Sequence, residues 1–121
     1  MAKKKILIVE DEKAILDAQA LLLEESYEVL KSMDGKKGFE LAKKHKPDLV
    51  VLDLMLPNRG GYDLCFSFRQ EPSLKAMKVL MVTALSQDID KSKGKMVGAD
   101  DYLTKPYDPE VFLEKIGKLL S

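Results

Sequence analysis

The chain has 121 residues, of which 45% are hydrophobic and 33% charged, with 20 basic and 20 acidic side chains and a formal net charge of zero at pH 7. That length fits one domain, residues 1–121, with a core that buries about two-thirds of the unfolded surface. Balanced charge excludes the basic field of a nucleic-acid or anionic-membrane binder, apolar runs of strand length exclude a membrane-spanning helix, and a single cysteine, Cys65, excludes an internal disulfide.

The first predicted element is a strand, Lys5 to Val9 (KILIV), followed by a helix-length segment from Lys13 to Glu25. A second strand, Tyr27 to Lys31, leads to a helix from Lys36 to His45. The third strand, Leu49 to Leu52, runs into Asp53 and is followed by a helix from Tyr62 to Gln70. Val79 to Val82 is the fourth strand and Ile89 to Val97 the fourth helix, which is anchored only by Ile89, Met96 and Val97, broken by Gly94, and expected to be mobile. Asp101 to Leu103 is the fifth strand. Glu110 to Leu120 is the fifth helix, with Asp108 as its N-cap, Pro109 at the first helical position, and Leu113, Ile116 and Leu120 forming its apolar stripe.

Continuous apolarity in the first, third and fourth strands predicts burial on both faces, the signature of a parallel sheet covered by helices. The fold class is therefore α/β: a (βα)5, doubly wound, five-stranded parallel sheet of flavodoxin-like type. Strand order 2-1-3-4-5 places the most apolar strands inside.

In such a sheet ligands bind beyond the carboxyl ends of the strands. Those ends carry Glu10-Asp11-Glu12, Asp53, Thr83 and Lys105-Pro106. Taken singly, Asp11 is equally an N-cap of the first helix, Thr83 a loop cap and Lys105 a solvated charge. Asp53 is different, because a carboxylate that interrupts the apolar run VVLDLMLP costs several kcal/mol if buried without a partner, roughly, unless it sits at a wet edge or does chemistry. Crowded carboxylates raise one another's pKa values unless a cation intervenes, and hard oxygen donors suit magnesium, or manganese, which brings phosphate with it. An aspartate can attack phosphorus to give an acyl phosphate, a transfer in which the protein positions the groups and neutralises charge. Cys65 and His45 have no chemical partners in this pattern and are read as incidental.

These residues resemble the receiver domain of two-component response regulators, including the single-domain chemotaxis regulator. The resemblance spans the whole chain. It rests on VEDE (Val9 to Glu12), LDLMLP (Leu52 to Pro57) with Gly61 beyond it, VTA (Val82 to Ala84) and GADDYLTKP (Gly98 to Pro106), and on the intervals from Asp53 to Thr83, Tyr102 and Lys105. It implies that Asp53 is the phosphoacceptor, that Glu10 and Asp11 hold magnesium with Asp53 and the backbone carbonyl of Met55, and that Thr83 and Lys105 contact the phosphoryl group. It further implies that Thr83 and Tyr102 form a switch, and that the Lys105–Pro106 bond is cis. Glu10 at the first acidic position is a common variant, Gly60 stands where many relatives carry Asp, and Met55 and Leu85 occupy positions that tune phosphoryl lifetime in relatives.

The function so implied is a signalling domain rather than an enzyme acting on a separate substrate: it takes a phosphoryl group on Asp53 from a sensor histidine kinase or phosphotransfer protein and catalyses only its own phosphorylation and dephosphorylation. The output surface is the one built by the fourth helix, fifth strand and fifth helix, which binds a downstream protein or a second copy. A cytoplasmic location is expected, with no direct contact to nucleic acid or membrane. The rivals are a metal-free pseudo-receiver scaffold, an aspartyl-phosphate hydrolase of the haloacid dehalogenase kind, and a flavodoxin-like nucleotide binder. The hydrolase wants a second Asp at position 55, which is Met; a phosphate cradle wants small residues where Glu10-Asp11-Glu12 stands.

Overall fold

A computed structural model of the chain describes residues 3–56, 60–83 and 97–121. Five strands, β1 (Lys5–Val9), β2 (Glu28–Ser32), β3 (Leu49–Asp53), β4 (Lys78–Thr83) and β5 (Asp101–Thr104), form one parallel sheet in the order β2-β1-β3-β4-β5. The helices are α1 (Lys13–Leu23), α2 (Gly35–His45), α3 (Gly61–Gln70) and the C-terminal helix α4 (Pro109–Leu120), with a 3-10 turn at Pro72–Leu74. The predicted fourth helix, Ile89 to Val97, lies outside the described residues except for its last position.

Alternation along the central strands divides the core. Ile6, Ile8, Leu49, Val51, Leu80 and Val82 face α1 and α4, meeting Leu16, Ala20, Leu23, Phe112 and Ile116. Leu7, Val9, Val50, Leu52, Val79 and Met81 face α2 and α3, meeting Ala42, Leu64, Cys65 and Phe68. Each fully buried large side chain contributes about 1.5–3 kcal/mol, so the two layers together anchor β1, β3 and β4. β2 and β5 are the edge strands, and Glu28 and Lys31 of β2 are exposed.

Local boundaries differ from the sequence reading for identifiable reasons. α1 ends two residues early because the Ser26 and Tyr27 N–H groups both donate to the Leu23 carbonyl, which also moves β2 one residue on, to pair Ser32 with Val9. β3 extends through Asp53, which pairs with Val82, so the carboxylate belongs to the sheet itself. In α4 the Asp108 cap is present, its side chain accepting from Glu110 N–H. Its buried stripe, however, is Phe112 and Ile116, with Leu119 and Leu120 partly buried; Leu113 is exposed. Phe112 wins the inward position by stacking on Tyr107 with ring centroids 5.2 Å apart.

Candidate functional site

Three strands deliver their last residues to one hollow. β3 carries Asp53 at its end, the first residue after β1 is Glu10, and the first after β5 is Lys105. Lys105 is held there by its own backbone, whose N–H donates to the Thr83 carbonyl at 2.7 Å, and the Lys105–Pro106 peptide is cis. Glu10 is fixed by donating its N–H to the Ser32 carbonyl at 3.0 Å. Gly61 must be glycine for this hollow to exist, because a Cβ there would lie 2.6 Å from the Asp53 carbonyl oxygen and 2.7 Å from Leu54 Cα.

The Lys105 ammonium bridges the two acids, donating to Glu10 Oε1 at 2.7 Å and to Asp53 Oδ2 at 3.1 Å. The other Asp53 oxygen accepts the Met55 N–H at 2.9 Å. Glu10 is only 2% exposed, Asp53 8% and Thr83 not at all. Asp11 is half-buried beside them, and ligand oxygens of Glu10, Asp11 and Asp53 all lie within 4.8 Å of one another. The N-cap of α1 is Glu12 rather than Asp11, and it makes no side-chain cap bond.

Burial, and then the proximity of Asp53, push the Glu10 carboxyl up to about 8, against the opposing pull of Lys105. Burial also works against charge on Asp53, but the neighbouring Glu10 carboxyl, the Met55 N–H and Lys105 outweigh it and hold that carboxyl below its usual value. Lys105 likewise resists desolvation through its two carboxylate partners, which raise its pKa. Burial thus raises the pKa of Glu10, while hydrogen bonding lowers that of Asp53. One ammonium facing three carboxylates leaves negative charge uncompensated, and the donors are all hard oxygens. The set therefore fits a small divalent cation such as magnesium or manganese.

Of the remaining predicted positions, Thr83 ends β4 and pairs with Thr104, and Tyr102 is half-buried against the α2–α3 side of the core. Met55 is exposed. Leu85 lies outside the described residues. Cys65 is buried in the core, its thiol donating to the Val97 carbonyl at 3.3 Å and pushed up to about 11 by burial, which makes it unreactive. His45 closes α2 with its carbonyl accepting from Lys5 Nζ at 3.5 Å.

One residue in the hollow escaped the sequence reading. Gln19, on α1, is 2% exposed and lines the same small cavity as Glu10, Asp53 and Lys105. The available signal was its place between Leu16 and Leu23 on an otherwise apolar stripe, where a polar side chain needs a partner from elsewhere in the fold.

Comparison with known proteins bears on this pocket. The model of the family described as the response regulator receiver domain matches residues 6–117. The DNA-binding dual master transcriptional regulator RpaA of Synechocystis is 45% identical over 117 residues, which is 96% of this chain and 48% of that protein. The alkaline phosphatase synthesis transcriptional regulatory protein PhoP of Bacillus subtilis is 40% identical over 118 residues, 97% of this chain and 48% of that protein. The chain thus spans about half the length of these curated relatives. Among solved structures, the chemotaxis protein CheY4 of Vibrio cholerae superposes with a TM-score of 0.93 at 30% identity, covering 98% of this chain and all of that one.

Proposed function

Because the chain belongs to the receiver-domain family of two-component response regulators, we propose that its residues 1–121 act as one phosphoacceptor domain, with Asp53 as the site. One observation carries this reading. At the end of β3 Asp53 accepts from Lys105 at 3.1 Å and from the Met55 N–H, with carboxylate oxygens of Glu10 and Asp11 within 4.8 Å of its own.

An Asp53 carboxylate oxygen forms a bond to phosphorus as the phosphorus–nitrogen bond of a partner's phosphohistidine breaks, and the imidazole leaves with the electron pair and takes up a proton. A small acyl phosphate serves as a slower donor. Hydrolysis later returns the carboxylate and releases inorganic phosphate, so the chain acts chemically only on itself. Glu10, Asp11, Asp53 and the Met55 carbonyl would hold magnesium or manganese, which neutralises phosphoryl oxygens when bound. Lys105 stays protonated and supplies the second positive contact, while Thr83, buried at the adjoining strand end, supplies a hydroxyl.

The phosphoryl group adds about −1.5 to −2 charges. Two new hydrogen bonds to charged groups, from Thr83 and Lys105, are worth about 3–6 kcal/mol together, against the roughly 5.5 kcal/mol needed to invert a 1:99 equilibrium. Only the top of that range meets the requirement, so the two contacts are marginally sufficient, and only if formed in the phosphorylated state alone, to move Thr83 and Tyr102, and with them the surface of the predicted fourth helix, β5 and α4, toward a downstream protein or a second copy. Because the relatives are longer and one is named for DNA binding, any contact with DNA is assigned to their remaining half rather than to this balanced-charge module. Among the described residues no helix is long and apolar enough to cross a membrane, and a cytoplasmic site of action is part of the proposal.

Labelling with acetyl phosphate and magnesium, read by intact mass, tests the proposal. Asp53→Ala abolishes the added mass, while Thr83→Ala keeps it and weakens only the response of the partner surface. Mass retained in the Asp53 variant defeats the assignment.

A further inference from the structure

Two buried oxygens lack hydrogen-bond partners among the described residues, Glu10 Oε2 and Gln19 Oε1, and they belong to side chains lining one cavity. That cavity is also walled by Val9, Val51 and Val82 and is too narrow to seat a water molecule, so neither oxygen is satisfied by solvent. Gln19 Nε2 meanwhile lies 3.0 Å from the Tyr107 hydroxyl. In this orientation the amide turns an acceptor toward the inner cavity and spends its donor on a hydroxyl that can itself donate.

With Glu10 ionised, as a cation ligand must be, a half-turn about the terminal torsion of Gln19 exchanges two groups of nearly equal size and gives both oxygens a donor. The Tyr107 O–H then donates to Oε1 over the same 3.0 Å, and Nε2 takes the former place of Oε1 in a side chain that lines one cavity with Glu10. We propose that Gln19 is a positioning residue for Glu10, donating from Nε2 to Glu10 Oε2 while its Oε1 accepts from Tyr107. Glu10 is then gripped at both oxygens, by Lys105 on Oε1 and Gln19 on Oε2. The acidic hollow is thereby tied to the outer groove of about 430 Å³ between α1 and the Pro106–Pro109 segment, which Gln19 and Tyr107 also line.

This inference rests on Glu10 serving as a cation ligand, and its test separates the two claims. Partners that orient a metal ligand from behind are typically worth 10- to 100-fold in metal affinity. Calorimetric titration of the intact chain with magnesium chloride should show Gln19→Leu binding about tenfold more weakly or worse, and an affinity within about twofold of wild type overturns the proposal. The same-sized effect from mere loosening of α1 is separated by NMR of the unmodified protein. A through-hydrogen-bond scalar coupling between the Gln19 side-chain nitrogen and the Glu10 carboxylate carbon is expected, and its absence overturns the proposal even if the variant does not fold. If wild-type protein binds no magnesium, the phosphoacceptor reading fails, while the coupling still decides the Gln19 assignment.

Discussion

The two edges of the sheet handle charge in opposite ways. At the amino edge, Arg69 on α3 donates to the carbonyls of Gly98 at 2.9 Å, Lys75 at 3.2 Å and Met77, and to Asp100 Oδ2 at 2.8 Å. Asp100 Oδ2 also takes the Val79 N–H at 2.7 Å, and nearby Asp48 takes the Lys5 N–H at 2.8 Å. These two aspartates and the arginine close gaps between the starts of strands and their neighbours. At the carboxyl edge, Lys105 serves two acids at once, and Glu10 carries a carboxyl raised to about 8. One arginine with one aspartate makes a clamp; one lysine among three acids makes a site waiting for positive charge. What separates structure from function here is not residue type but whether the charge count closes.

The sharpest way to break that contrast is to cut the clamp. Arg69→Ala leaves the Gly98, Lys75 and Met77 carbonyls without that donor and Asp100 with the Val79 N–H alone, and urea unfolding should show a loss of about 1–3 kcal/mol. Acetyl-phosphate labelling per folded molecule should stay near wild type; loss of labelling in the folded fraction would mean that the edges are coupled.

Gly61→Ala attacks the other edge through its backbone. The new Cβ collides with the strand segment bearing Asp53, so a stability loss of about 1–3 kcal/mol should come with slowed labelling. A variant as stable and as reactive as the parent would show that the loop yields without moving Asp53.

Titration sharpens the contrast further. The folded Glu10 holds its proton up to about 8, whereas the unfolded chain releases it near 4.5, so metal-free protein loses stability as pH rises through that interval and levels off above it. The slope is at most about 1.4 kcal/mol per pH unit for one proton. Asp53, shifted the other way, contributes stability that is lost only in acid, as pH falls through and below 3.8, and leaves the interval from 5 to 8 unaffected. Saturating magnesium should flatten or reverse the slope, and its affinity should climb with pH because Glu10 must give up its proton. Denaturant midpoints at several pH values, with and without magnesium, decide it.

The smallest effect is expected at the exposed Lys13–Asp17 pair on α1, 2.8 Å apart and open to solvent. Lys13→Ala should leave both the unfolding midpoint and the labelling rate unchanged within error. A measurable change would assign that end of α1 a part in the site.

Much of this was legible in the residue order. The runs ILIV and LVVLD, buried without a break, declare two-sided strands, and the spacing of strand ends declares which side chains meet. Asp108-Pro109 fixes the start of α4 from local chemistry alone, since a capping oxygen and a preset φ act within one turn. Leu113 against Phe112 could not be settled that way, because both lie close to the apolar stripe and only the ring of Tyr107 selects one. Gln19 and the Arg69 clamp were equally hidden, for their partners lie 88 residues away at Tyr107 and 31 residues away at Asp100.

The sequence by itself determined the parallel sheet, its strand order and the identity of the acids, threonine and lysine at its carboxyl edge, because period, caps and spacing act over a few residues. Only the tertiary structure decided how those charges divide: that Lys105 spans Glu10 and Asp53, that burial raises the Glu10 carboxyl, and that Gln19 lines the same cavity. Desolvation and charge sharing depend on what surrounds a group in space, and no local pattern encodes them.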